Sequence, residues 1–124
     1  MTRTVTITNA TRNTTLATNI PVADTPTTRR VGLLNQTSLP HGGGLYIDKG
    51  STVHTFGMKF PIDIVFIYHS QDTPGRAQAT RTVEGVGEGR YEGGKRANSV
   101  LELPVGVIRD SRTKAGDWLR VEFT

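Results

Sequence analysis

The sequence predicts a mainly β fold. We expect a β-rich α+β protein built as a compact small barrel or sandwich of short antiparallel strands, with two short helices at about residues 25–35 and 105–112. Three observations carry that expectation. The run Ile62 to Tyr68 is apolar at every position except Asp63, and only a central strand covered on both faces can hold such a run without exposing half of it. Several short segments alternate apolar and polar residues with the period of two that belongs to half-buried strands. Strands and helical patterns do not alternate along the chain, which argues against the βαβ rhythm of parallel α/β folds.

Taken in order, Thr2 to Thr8 sets Val5 and Ile7 on one face against threonines on the other, a first strand. Asn13 within Ala10 to Thr14 supplies a turn, and Leu16 to Val22 returns to complete a hairpin. A helix begins at Asp24-Thr25-Pro26, because Asp or Thr can cap free amides and Pro fits the first helical position. Val31, Leu33 and Leu34 give it an apolar stripe as far as Asn35. Gly32 inside that helix costs ~1 kcal/mol against Ala and is expected to mark the close approach of another backbone. Leu39 to Gly44 forms a loop, Leu45 to Asp48 a short strand, Lys49-Gly50-Ser51 a turn, and Thr52 to Met58 a further strand with His54, Phe56 and Met58 on one face. If this strand pairs tightly with Ile62–Tyr68 across the Phe60-Pro61 break, Asp63 returns near Gly57 and Met58, and His54 lies beside Phe66 or Ile67. After the polar turn His69 to Gly75 comes a strand from Arg76 to Val86, then a flexible glycine-rich loop at residues 85–97. Val100 to Leu103 is a short strand, Pro104 opens the second helix, and Trp118 to Phe123 closes the sheet with Leu119, Val121 and Phe123 inward.

The 124 residues fit one domain, 1–124, large enough to bury a core without disulfides or a structural metal. With no cysteine, thiolate nucleophiles, disulfide frameworks and cysteine-based zinc sites are all excluded. The net charge of +4 and pI near 9.9 are spread along the chain, and neither a basic helix nor an aromatic RNA-binding signature accompanies them, so nucleic acid is not the expected partner. No apolar run approaches the ~20 residues that span a bilayer, and the first residues alternate where a signal peptide would be apolar. The expected location is the cytoplasm for the sequence as it stands, or outside it if this is a processed form.

Chemical handles gather around the central strand. His54, Met58, Lys59 and Asp63 lie within it or just before it, and Arg29 or Arg30 could join them. Imidazole can shuttle protons, a carboxylate can orient it, and a guanidinium fork can hold an anion. Structural roles compete: Asp63 could accept hydrogen bonds from free amides of the preceding turn, and His54 could be a core-edge histidine bonded to a carbonyl. The mixed and irregular spacing of His54, Met58 and Asp63 does not form a metal motif, and no cofactor is expected. Gly85, Gly87 and Gly89 match a phosphate cradle only in letters, since no helix follows them. Glu102, between Leu101 and Leu103, should point away from both, towards solvent or towards Arg29 or Arg30 as a structural pair.

Four separated segments carry a resemblance: Val22 to Pro26 with Arg29 to Leu34, then His54 to Asp63, then Leu101 to Gly106, then Gly116-Asp117. In this order they resemble the motifs of a bacterial and archaeal family catalogued as domain of unknown function 192, from about Val22 to the C-terminus. The resemblance implies a small β-rich domain, often exported, with no activity established for the family. Leu34 stands where many members have Met, Gly57 where many have Trp, and Phe60-Pro61 where many have Asn-Thr. The functional expectation is a non-enzymatic module that binds a small ligand or a protein partner through the end of the sheet bearing His54, Met58 and Asp63. The alternatives are a small hydrolase or metal-dependent enzyme with a His/Asp site, and an accessory protein of a membrane or secretion system.

Overall fold

In the computed structural model, which describes residues 3–124, the hairpin of β1 (Thr4–Asn9) and β2 (Thr14–Ala23) starts a barrel. The left-handed conformation its turn needs at Asn13, φ 58°, is one that asparagine tolerates. The expected first strand began at Thr2, which lies outside the described residues. Five more strands complete the ring: β3 (Leu45–Asp48), β5 (Ile62–His69), β6 (Arg76–Val86), β8 (Ser99–Pro104) and β9 (Trp118–Phe123). The order around the closed barrel is β1-β2-β3-β8-β5-β6-β9, and β9 returns to pair with β1. Every junction is antiparallel except β2 to β3, which is parallel and joined by only two residue pairs, Val22 with Tyr46 and Ala23 with Ile47. A short ribbon of β4 (Thr52–His54) and β7 (Tyr91–Gly93) lies outside the ring.

The mainly β architecture is therefore a closed barrel. Its interior is filled by Val5 and Ile7 of β1, Ile20 of β2, Val65 and Ile67 of β5, Leu101 and Leu103 of β8, and Leu119 and Val121 of β9. A second apolar layer lies on the outer face of β3, β5 and β8, where Ile47, Ile62, Ile64, Phe66 and Val100 meet Leu33, Val53 and Met58 from the segments that cover them. That second layer is why β5 reads as a continuous apolar run. Ile62, Ile64 and Phe66 face outward under the cover, Val65 and Ile67 face into the barrel, and β6 and β8 pair with its two edges.

Several local expectations change. The first helix, α1 (Pro26–Val31), is shorter than 25–35 because Gly32 ends it at φ 52°, with its amide donating to the Thr28 carbonyl. Gly32 thus serves a backbone turn and not a tight approach: a Cβ there would meet nothing nearer than Glu102 Oε1 at 3.7 Å. Thr25 caps α1 through a reciprocal pair with Thr28. The second helix, α2 (Val107–Ser111), likewise starts later than expected, after Gly106. Finally, β4 ends at His54 and pairs with β7, so the expected hairpin of Thr52–Met58 with β5 does not form. Residues 85–97, read from the sequence as a glycine-rich loop, contain β7. The buried Glu92 there accepts hydrogen bonds from Arg81 at 3.0 Å and Arg90 at 2.8 Å, and the Thr55 hydroxyl donates to the Gly87 carbonyl at 2.6 Å.

A cavity over Glu102

Alternation along β8 decides where its acid goes. Leu101 and Leu103 fill the barrel, so Glu102 projects to the outer face with Val100, between Leu45 of β3 and Ile64 of β5. That face is covered by α1, the turn after it and β4. Glu102 is consequently 4% exposed, neither in solvent nor paired with an arginine as the sequence suggested. Its Oε1 has no hydrogen-bond partner among the described residues. With nothing to offset burial, the carboxyl is pushed from 4.5 up to about 7.

Glu102 lines a cavity of about 300 Å³, with Leu33, Ile47, Val53 and Met58 as apolar walls and Arg29, Arg30 and His54 also contributing. Arg29 is committed to the fold: Nε donates to the Asp48 carbonyl at 2.6 Å and Nη2 to the Asp24 carbonyl at 3.0 Å, tying α1 to the end of β3. Arg30 is exposed, and no carboxylate among the described residues lies within 4.0 Å of it. His54 is exposed, with its ring 5.9 Å from that of Phe56. Met58 is buried, and Lys59 beside it is exposed and does not line the cavity.

The structure thus brings Arg29, Arg30, His54 and Met58 together and leaves Asp63 out. Asp63 follows Ile62 and precedes Ile64, both of which face the outer layer, so it turns inward, to the side of β5 opposite Glu102. There it is fully buried and satisfied. Oδ1 accepts from the Gly85 amide at 2.9 Å, and Oδ2 accepts from the Gly106 amide at 3.0 Å and the Ile108 amide at 3.1 Å. The donors come from the β6 bulge and the start of α2 and not from the Phe60-Pro61 turn, so Asp63 fastens two distant segments to the central strand.

Glu102 is the cavity-lining residue that sequence reasoning misplaced. Its signal was present, since an acid in a strand whose neighbours on both sides are apolar has to lie on one face or the other. Recognising it required knowing that the outer face is covered, and the cover comes from remote segments. Among the described residues no three His, Asp or Glu side chains gather as a metal site would need.

The sequence profile of the DUF192 family, described as an uncharacterized ACR, matches residues 6–121. No curated protein matches the chain. Among solved structures the fold is similar to that of a Sinorhizobium meliloti 1021 protein described provisionally as a transcription regulator. That pair has a TM-score of 0.75 and 22% identity, over 98% of this chain and 92% of the other. A protein of unknown function from Novosphingobium aromaticivorans DSM 12444 is similar with a TM-score of 0.73 and 20% identity, over 96% of this chain and 83% of that one. At such identities the likeness concerns the fold alone.

Proposed function

The chain belongs to the domain of unknown function 192 family, and from that premise we propose that it is a non-enzymatic module that binds a small ligand in the cavity over Glu102. One observation carries this reading: a buried carboxyl with an unpartnered oxygen faces a cavity lined by apolar side chains. An unpaired buried polar group destabilises a fold by about 1–3 kcal/mol, more when it is charged, and such groups concentrate where a ligand supplies the missing partner. The volume suits a small organic molecule, and a few polar groups among apolar walls is the usual composition of such a site. Arg30 and His54 offer polar contacts beside that carboxyl. Hydrolytic chemistry through a His54/Asp63 pair has less support, because all three hydrogen bonds to Asp63 come from backbone amides on the opposite side of β5.

The test is a methyl-detected NMR titration with a panel of small amines, amides and acids, using the Met58 and Val53 methyl groups as reporters. At least one class should shift both signals in the wild type and not in Glu102→Leu. If millimolar concentrations of every class leave both signals unmoved, the cavity is not a binding site.

A further inference from the structure

We infer that the cavity selects a small zwitterion, with an ammonium group held by Glu102, an aliphatic body along the apolar walls, and an anionic group held by Arg30. This inference rests on the small-ligand reading above and adds the chemical class. Its basis is the arrangement of charge around one cavity that is open to solvent on the side of Arg30 and His54. Among the described residues Glu102, buried, is the sole acid lining the cavity, and its Oε1 has no donor. Two guanidinium groups line the same space, and they are not equivalent. Arg29 spends Nε and Nη2 on the Asp48 and Asp24 carbonyls, whereas Arg30 is exposed with no carboxylate within 4.0 Å among the described residues. Leu33, Ile47, Val53 and Met58 line the same cavity, and their side chains offer no hydrogen bonds to the body of a ligand.

Each simpler ligand leaves one group unmatched. A plain cation would satisfy Glu102 but be repelled by two arginines, and a plain anion would satisfy Arg30 but meet the buried carboxyl. A neutral aliphatic molecule would fill the walls and leave the buried oxygen without a donor, which is costly. A zwitterion with its charges separated by a short chain matches all three. Arg29 and Arg30 from the α1 side and His54 from β4 are the ionisable groups that share the cavity with Glu102, while its neighbours on β3 and β5 are Leu45 and Ile64. Burial pushes Glu102 up to about 7, so seating an ammonium group beside it favours the ionised form. Binding should therefore release a proton near neutral pH and tighten as pH rises.

The experiment compares 6-aminohexanoate, hexylamine, hexanoate and hexanol on the wild type, Glu102→Gln and Arg30→Ala, by calorimetry and by the Met58 methyl signal. Wild type should bind the amino acid about tenfold or more tightly than the amine or the acid alone. Glu102→Gln should reduce it to the level of hexanoate, and Arg30→Ala to the level of hexylamine. Calorimetry of the wild type in two buffers of different ionisation enthalpy should register proton release, a readout that needs no variant to fold. Equal wild-type affinities for the amino acid and either single-charge probe would overturn the inference, as would a preference that survives Arg30→Ala. If hexanol alone moves the Met58 signal, the zwitterion falls and the cavity reading stands. If none of the four moves it, the zwitterion falls, and the panel titration above decides the cavity reading.

Discussion

Replacing Glu102 by Gln removes a carboxyl whose burial between Leu45 and Ile64 pushes it from 4.5 up to about 7. In the unfolded chain the group loses its proton near 4.5, while the folded protein keeps it until about pH 7. Between those values the folded state holds more protons than the unfolded state, so stability falls as pH rises. The rise of roughly 2.5 pH units, at about 1.4 kcal/mol per unit, corresponds to about 3.5 kcal/mol. That stability is fully present below pH 4.5 and lost above about 7. The amide cannot titrate, so the stability of Glu102→Gln relative to wild type should improve by about 3.5 kcal/mol between acid and mildly alkaline pH. All other carboxyls titrate alike in both proteins and cancel. Urea unfolding at a series of pH values, followed by circular dichroism and by the single tryptophan, Trp118, measures the difference. A difference that stays flat to within about 0.5 kcal/mol across that range would mean that Glu102 is not desolvated in the folded protein, and the argument for its role would fail.

Further substitutions separate structural from binding roles. Asp63→Ala leaves the amides of Gly85, Gly106 and Ile108 without their acceptor and should cost about 3–5 kcal/mol. Asp63→Asn, which sets a donor against one of those amides, should cost about 2 kcal/mol. Urea midpoints unchanged by either would remove Asp63 from the architecture. Gly94→Ala would place a methyl carbon 2.5 Å from Cγ of the buried Phe66, so thermal unfolding should register about 1–3 kcal/mol of lost stability. No change in melting temperature would show that residue 94 does not pack on β5. Arg29→Ala breaks the bonds to Asp48 and Asp24 and should speed hydrogen exchange at the amides of residue 29 in α1 and of Gly32 just after it, while leaving Ile64 and Val65 protected. Arg30→Ala should leave both sets unchanged, and equal effects of the two substitutions would refute the division of labour between them.

The barrel was legible where local pattern and final environment agree. Ile62 to Tyr68 announced a strand covered on both faces, Arg76–Val86 and Trp118–Phe123 were bounded correctly by their alternation, and Asp24-Thr25-Pro26 marked the start of α1. The layer outside the barrel was not legible, because β4 and β7 are three residues each and pair across a long separation, Val53 with Glu92. Nothing within Tyr91–Gly93 distinguishes it from the glycines around it; the pairing, and the arginines that meet Glu92, make it a strand. The site inherited that gap. Arg29, Arg30, His54 and Met58 were identifiable by residue type, but grouping them with Asp63 assumed a hairpin that does not form. Strict alternation in β5 could have separated Asp63 from its neighbours Ile62 and Ile64, since a period of two puts them on opposite faces.

The position of the cavity follows from the one parallel junction in the barrel. Parallel neighbours cannot be joined by a tight turn, so the chain between β2 and β3 has to cross over the outside of the sheet, and α1 with the turn after it is that crossover. The helix of that crossover is only six residues long and none of them is buried, so it cannot cover the outer face of β3, β8 and β5 by itself. The β4/β7 ribbon covers the remainder. Two independent covers that meet over one sheet leave a seam, and the residue of β8 that faces outward beneath that seam is Glu102. A leucine there would join Val100 and Ile64 and seal the layer, at a gain in stability above neutral pH by the same linkage that governs Glu102→Gln. An acid at this position therefore opposes the packing of the layer around it, and among the described residues no hydrogen bond to Oε1 offsets its burial.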